Sequence, residues 1–244
     1  MRTVAAAIFC KTPAAGLSKT RLSPPLGEAE CALLSACFIR DVSTTIGALA
    51  REGGVTGYAA YTPVGSEPAL RRLLPPDFRL IAQGEGAFGE RLLNATADLL
   101  SAGHSGAILI NSDSPTLPLS ILRAAAEAVR RDDAVVLGPA LDGGYTLIGL
   151  SKAHARIFDD IPWSTPQVYA RTVERAREMR LPVINVPQWY DIDDEDSLRL
   201  LESELAGEPL PFKTAGLAGA EARATRQFFA ARTREKTKEA AWTM

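Results

Sequence analysis

The chain contains short uncharged runs that end abruptly in polar, basic or acidic loops, and this feature constrains the fold most. Residues 3–9 (TVAAAIF) are apolar without a break, and residues 107–110 (AILI) repeat the pattern. Strands that are apolar on both sides are those covered by helices on both faces of a mainly parallel sheet. Between such runs the apolar residues recur at helical spacing. Strands alternating with helices predict an α/β three-layer α/β/α sandwich. Residues 134–137 and 145–150 read as strands on either side of Leu141-Asp142-Gly143-Gly144, a hairpin-like connection that predicts a mixed sheet.

The periodicity predicts a helix over residues 27–50, with Leu33, Leu34, Cys37, Phe38, Ile46 and Leu49 on one broad face. Strands are expected at 55–61, 79–82 and 183–186, and helices at 70–74, 90–100, 118–131 and 166–179. Thr165 and Pro166 supply a cap and a first-turn proline for the last of these. A short helix is expected to end near Leu205. Residues 1–206 read as one α/β domain. Residues 207–244 read as a proline-containing linker and a helical tail, solvated or docked.

A chain of 244 residues buries enough core to need no disulfide or structural metal. A net charge of −2 gives no long-range field to draw in nucleic acid or an acidic membrane, so any anion site must be a local cluster. Cys10, Cys31 and Cys37 fit no zinc or haem spacing and read as small hydrophobes of a reducing compartment. The apolar N-terminal run after Arg2 is cut short by Lys11 and has no clean cleavage site, which suits a strand better than a leader. No stretch reads as long enough to cross a bilayer. A cytoplasmic location is the expectation, and self-association is left open.

Three loops follow predicted strand ends, where open α/β sheets bind ligands. The first, residues 10–25, holds Lys11, Lys19 and Arg21. Arginine forks onto two phosphate oxygens and lysine supplies a point charge. No G-x-x-x-x-G-K-[ST] loop is present. The second is Asn111-Ser112-Asp113-Ser114-Pro115, in which Asp113 is either a cation ligand or the anchor of an Asx turn. The third is Asp191-Ile192-Asp193-Asp194, with Asp191 and Asp193 on one side of an extended backbone and Asp193 or Asp194 available to cap the next helix.

Two cations beside two acidic loops suit a phosphate–metal–protein sandwich, the metal being Mg2+ or Mn2+. The Gln83–Gly89 segment, with Gly84, Gly86 and Gly89, allows backbone to approach a base or ribose. Asp142-Gly143-Gly144 reads as a turn or as a loop facing an acceptor. Trp163, Trp189 and Tyr190 read as core or pocket wall, and His104 and His154 as surface residues.

As a set, F-C-K-T-P-A-A-G-L-S-K-T-R-L (9–22), Q-G-E-G-A-F-G-E-R-L (83–92), N-S-D-S-P (111–115), L-G-P-A-L-D-G-G-Y-T-L-I-G-L (137–150), P-W-S-T (162–165) and D-I-D (191–193) resemble the nucleotide-diphospho-sugar transferase superfamily of GT-A fold. Within it they are similar to a glycosyltransferase-like family related to the 2-phospho-lactate guanylyltransferases. The resemblance spans residues 3–205. It implies phosphate binding by Lys19 and Arg21, with Lys11 beside them, and a base pocket near Gln83, Gly84, Gly86 and Gly89. It implies metal binding by Asp113 with Asp191 or Asp193. Asn111 departs from the pattern, standing where that family has glycine and wider glycosyltransferases often have aspartate. Asparagine tolerates a left-handed turn but ligates metal more weakly than a carboxylate.

The expected partners are a nucleotide or nucleotide-sugar and a small-molecule acceptor. Glycosyl transfer from a nucleotide-diphospho donor leads; the alternative, implied by the guanylyltransferase resemblance, is nucleotidyl transfer from a triphosphate to a phosphorylated small molecule, with release of pyrophosphate. A nucleotide-binding protein without catalysis is the third reading. Lys19, Arg21 and Asp113 are the expected catalytic groups, and Asp142 and Asp191 the candidate general bases.

Overall fold

The computed structural model describes residues 3–214 and 216–242; Arg2 and the outermost ends of the two expected segments, 1–2 and 243–244, lie outside the described residues. Strand β1 (Val4–Lys11) runs through the middle of a seven-stranded sheet of order β3-β2-β1-β4-β6-β5-β7. Its partners are β2 (Val55–Thr62), which in turn pairs β3 (Arg79–Ala82), and β4 (Gly106–Asn111), all parallel. The hairpin of β5 (Val135–Pro139) and β6 (Tyr145–Leu150) inserts β6 antiparallel to β4, and β7 (Val183–Asn185) closes the far edge parallel to β5. The sheet is therefore mixed, with helices on both faces.

Alternation along β1 splits its side chains between two cores. Val4, Ala6, Ile8 and Cys10 face the layer of α1 (Glu28–Arg51) and α4 (Leu119–Arg131). Ala5, Ala7 and Phe9 face α3 (Phe88–Ser101) and α5 (Val168–Glu178). Each large apolar side chain so enclosed, such as Phe38 and Leu99, contributes roughly 1.5–3 kcal/mol. The register aligns Phe9 of β1 with Asn111 of β4 and Ile110 with Leu147 of β6. The carboxyl ends of β1 and β4 and the amino end of β6 thus meet at one rim.

Several expected details shift. On α1, Leu34, Cys37, Phe38, Ile46 and Leu49 are buried, but Leu33 is 56% exposed, because the helix packs through a narrower face than its broad apolar stripe suggests. The short helix α2 is Glu67–Arg71, earlier than expected, with Pro68 in its first turn and only a turn following it. Helix α5 starts at Val168 with Gln167 as its cap residue. Thr165 instead closes a preceding turn, donating to the Pro162 carbonyl at 2.7 Å and accepting from Gln167 N at 3.3 Å. Asp194 caps α6 (Glu195–Ala206) by accepting from Ser197 N at 2.9 Å.

His104 is buried, not superficial: one ring nitrogen lies 2.9 Å from the Tyr58 hydroxyl and the other 2.7 Å from Thr3 Oγ1. His154 pairs with Asp133 at 3.0 Å. Contrary to the reading that no stretch is long enough to span a bilayer, α1 has the length and apolarity; 67% of its most apolar window is buried in the fold.

The segment after α6 lies on the core. Phe212 packs edge-on against Trp189 at 5.8 Å and Tyr190 at 6.1 Å. Helix α7 (Arg223–Trp242) then docks on α1. Buried Asp41 of α1 accepts from Ala224 N at 2.9 Å, Thr225 N at 2.8 Å and the Thr225 hydroxyl at 2.6 Å, satisfying amides at the start of α7 that have no partner within the helix.

Candidate functional site

Two adjoining cavities open at the rim where β1, β4 and β6 meet. One, of about 310 Å3, is lined by Lys11, the 17–21 segment and Ser35. The other, of about 260 Å3, lies between β4, β6, α3 and the start of α5. Ser112, Asp113, Ser164 and Asp193 line both and form the boundary between them.

In the basic lobe, Lys11 and Arg21 are exposed, and neither has an ion pair among the described residues. Lys19 behaves differently. Its backbone is left-handed (φ 50°), and its side chain is only 9% exposed. The ammonium lies 3.0 Å from Asp113 Oδ1 and 3.0 Å from Asp193 Oδ1, and it donates to the Ile192 carbonyl. Burial alone would weaken its charge, but Asp113 and then Asp193 outweigh burial and hold the ammonium protonated beyond the usual lysine range. The expected Lys19–Arg21 pair therefore divides: Arg21 faces the open lobe and Lys19 ties two acidic loops together. The Ile192 N to Asp113 carbonyl bond at 3.0 Å joins the same loops through the backbone.

The second lobe has an acidic floor. Ligand oxygens of Asp142, Asp191 and Asp193 all lie within 4.8 Å of one another. Asp142 is placed by the β5–β6 hairpin, where its Oδ1 accepts from Gly144 N at 2.8 Å. Gly143 requires φ +89°, and a Cβ there would stand 2.2 Å from the Pro166 carbonyl oxygen, so the turn and the start of α5 fit only around glycine. Asp191 is largely enclosed; burial, followed by the charges of Asp142, Asp193 and Asp113, pushes its carboxyl up to about 7.

Asn111 donates to Asp191 Oδ2 at 3.2 Å and accepts from Asp113 N at 3.4 Å. It does so in extended backbone at the end of β4 rather than in the left-handed turn considered for it. Ser112 donates to Asp113 Oδ1 at 3.2 Å, whereas Ser114 is fully buried and its hydroxyl has no hydrogen-bond partner among the described residues.

Of the Gln83–Gly89 segment, Phe88 alone among the described residues lines either lobe. The Gln83 amide is buried, donating to the Cys10 and Ala60 carbonyls at 3.0 Å each and accepting from Arg91 at 2.8 Å. Gly84 and Gly86 lie in the loop above it with positive φ. Gly89 is a packing position, where a Cβ would meet the Phe158 carbonyl oxygen at 2.5 Å. Phe88 does reach the acidic lobe, between Phe9 (centroids 5.6 Å apart) and Trp163 (5.0 Å). Phe9, Phe88, Tyr145 and Ser164 lie within the quoted motifs but carry no role in the sequence reading, since strand ends and loops have no periodicity to mark them. Burial and then the charge of Asp113 push the Cys10 thiol up to about 12, which disfavours its thiolate.

Residues 45–165 match the protein-family profile described as "Uncharacterized protein conserved in bacteria (DUF2064)". No curated protein matches the chain by sequence. Among solved structures, a protein of Desulfovibrio desulfuricans G20, provisionally named a nucleotide-diphospho-sugar transferase, is 26% identical. It superimposes with a TM-score of 0.74 over 93% of this chain and 99% of its own. The chain has the nucleotide-diphospho-sugar transferase fold. Two more distant neighbours share that fold. The 4-diphosphocytidyl-2C-methyl-D-erythritol synthase of Anaerococcus prevotii DSM 20548 is 8% identical with a TM-score of 0.54, over 84% of this chain and 96% of that one. A CMP:2-keto-3-deoxy-manno-octonic acid synthetase complexed with CTP is 10% identical with a TM-score of 0.50, over 84% and 99%.

Proposed function

We propose that the protein is a divalent-metal-dependent transferase that moves a glycosyl group from a nucleotide-diphospho donor to a small acceptor. The observation that carries this reading is the abutment of the two lobes: Lys11 and Arg21 open toward one side of Asp113 and Asp193, and a walled acidic cavity opens on the other. In the proposal the donor's phosphates lie against Lys11, Arg21 and the 17–21 backbone. In the same proposal the transferred group lies over Asp113 and Asp193, where the lobes meet, and its acceptor enters from the acidic lobe.

The donor set fits a hard cation. Three carboxylates offer oxygens mutually within 4.8 Å, and Mg2+ gathers its oxygen ligands at about 2.0–2.1 Å. Asp191 and Asp193 would hold it, with Asp113 beside them and Asp142 left on the acceptor side. Such a cation supplies charge neutralisation for the leaving phosphate oxygens. The chain's own residues do the rest. Lys19 fixes Asp113 and Asp193 in place, Asn111 orients Asp191, and Phe88 and Trp163 exclude water from the reacting centre. Asp142, the most exposed of the three, is the group we assign to accept the acceptor's hydroxyl proton.

Nucleotidyl transfer is the second reading, favoured by the exposed pair Lys11 and Arg21, which suits the longer phosphate chain of a triphosphate. Thermal-shift measurements against nucleoside triphosphates and nucleotide-diphospho-sugars, each with and without Mg2+, separate the two. Metal-dependent stabilisation by a nucleotide-sugar is expected. Stabilisation by a triphosphate with sugar nucleotides inert would move the assignment to nucleotidyl transfer, and no response to either would remove both.

A further inference from the structure

The acidic lobe has a property that the basic lobe lacks: its lining contains no lysine, arginine or histidine. Four carboxylates border it, those of Asp113, Asp142, Asp191 and Asp193. The single ammonium of Lys19 and one divalent cation leave those four with one negative charge in excess. The rest of the wall is apolar or neutral. Phe9, Phe88 and Trp163 make a continuous edge-to-face run, and Leu92, Leu109 and Val168 continue it. At about 260 Å3 the cavity lies below the range of about 300–1,000 Å3 typical of drug-sized ligands, so it admits one ring or a body of similar size.

An anionic group entering such a site loses its hydration, meets no cationic side chain in the wall, and faces a floor whose four carboxylates keep a net negative charge even with the cation bound. An uncharged hydroxyl is received by carboxylate acceptors, and a ring or hydrocarbon face packs on the aromatics. Resting on the transferase reading above, we infer that the acceptor is a small uncharged alcohol with a ring or hydrocarbon body, and not a phosphorylated or carboxylated compound. The acceptor class thus differs from the phosphorylated small molecule that the guanylyltransferase resemblance implies.

The test uses the full-length protein with Mg2+ and whichever donor stabilises it, and reads release of the donor's nucleotide product. Two probe pairs differ chiefly in charge: 4-hydroxybenzyl alcohol against 4-hydroxybenzoate, and glycerol against glycerol 3-phosphate. The neutral member of each pair is expected to accelerate release at least tenfold more than the anionic one. Equal or greater acceleration by the anions, or none by any probe, overturns the inference while donor binding keeps the transferase reading in place. If no donor binds, both fall together. Thr165 is exposed at the cavity wall, and its side chain makes only local turn bonds, so Thr165→Lys adds a cation there without opening the core. In that variant the neutral-to-anion ratio is expected to drop at least threefold; an unchanged ratio places the acceptor elsewhere and overturns the assignment.

Discussion

Asp113 and Asp191 stand at the same rim, yet the fold treats them in opposite ways. Asp113 has the Lys19 ammonium 3.0 Å away and the Ser112 hydroxyl at 3.2 Å. Asp191 has a neutral amide, Asn111 Nδ2, at 3.2 Å, and the charges around it are chiefly those of other carboxylates. One acid arrives with its counter-ion built into the chain, and the other is held in a state that welcomes a proton or a metal. The difference separates a scaffold from a site. Lys19 makes the two acidic loops one rigid unit, and the charge still uncompensated around Asp191 is what the unit offers to a cation.

Breaking the compensated side should have the largest effect. Lys19→Met leaves Asp113 and Asp193 without their shared cation. Removing one partner of a fully buried pair costs about 3–5 kcal/mol. Because the carboxylates are 30% and 47% exposed, a loss of about 2–3 kcal/mol is expected from denaturant unfolding. A change below about 0.5 kcal/mol, the scale of ordinary surface substitutions, would mean that water serves the two acids as well as Lys19 does.

Asp191→Asn tests the uncompensated side and should act in the other direction. The folded carboxyl is raised to about 7 from its ordinary value of 3.8, so folding favours its protonated form. That stability is fully present below the unfolded value near 4 and is lost as pH rises through about 7. The metal-free wild type should therefore weaken across that window. Asp191→Asn should remove the slope and stabilise the metal-free protein at pH 8 by about 2 kcal/mol, while abolishing stabilisation by Mg2+. In the wild type, Mg2+ stabilisation should grow as pH rises from 5.5 to 8, because the ligand must be deprotonated. A flat pH profile together with intact Mg2+ binding in the variant would show that Asp191 is not a ligand.

The contrast between the two acids also marks how far the sequence could be read. The layered fold was legible because it rests on local periodicity: the apolar runs at 3–9 and 107–110 became central strands, and the Asp142-Gly143 turn became the hairpin that makes the sheet mixed. The three loops came to one rim because strand ends in such sheets do. Three facts were not legible. Lys19 turns inward while Arg21 stays out, a choice made by a left-handed residue and by an ion pair to a loop 174 residues away. His104 is buried because Tyr58 and Thr3 supply partners from other strands. Asn111 looked like a weakened ligand, and only the 80-residue contact to Asp191 gives it a different task. Spacing along the chain carries no record of such distant pairings.

Asn111→Asp gives the smallest expected effect and sharpens the comparison most. The substitution places a carboxylate where the wider glycosyltransferases often have one, and it removes the Asn111 amide that donates to Asp191. A further acid beside Asp113, Asp142, Asp191 and Asp193 should raise the Asp191 carboxyl further by like-charge repulsion. The metal-free protein should lose about 1 kcal/mol at pH 8, within the usual range for a like charge added to a partly enclosed cluster. Mg2+ should recover that loss and bind more tightly than in the wild type, since ligand charge count tunes affinity for hard cations. Denaturant unfolding at pH 8 reads the first quantity, and titration calorimetry with Mg2+ reads the second. If Asn111→Asp weakens Mg2+ binding, orientation of Asp191 by the amide matters more than total charge, and the acidic floor is a positioned ligand set whose neutral member is part of the design.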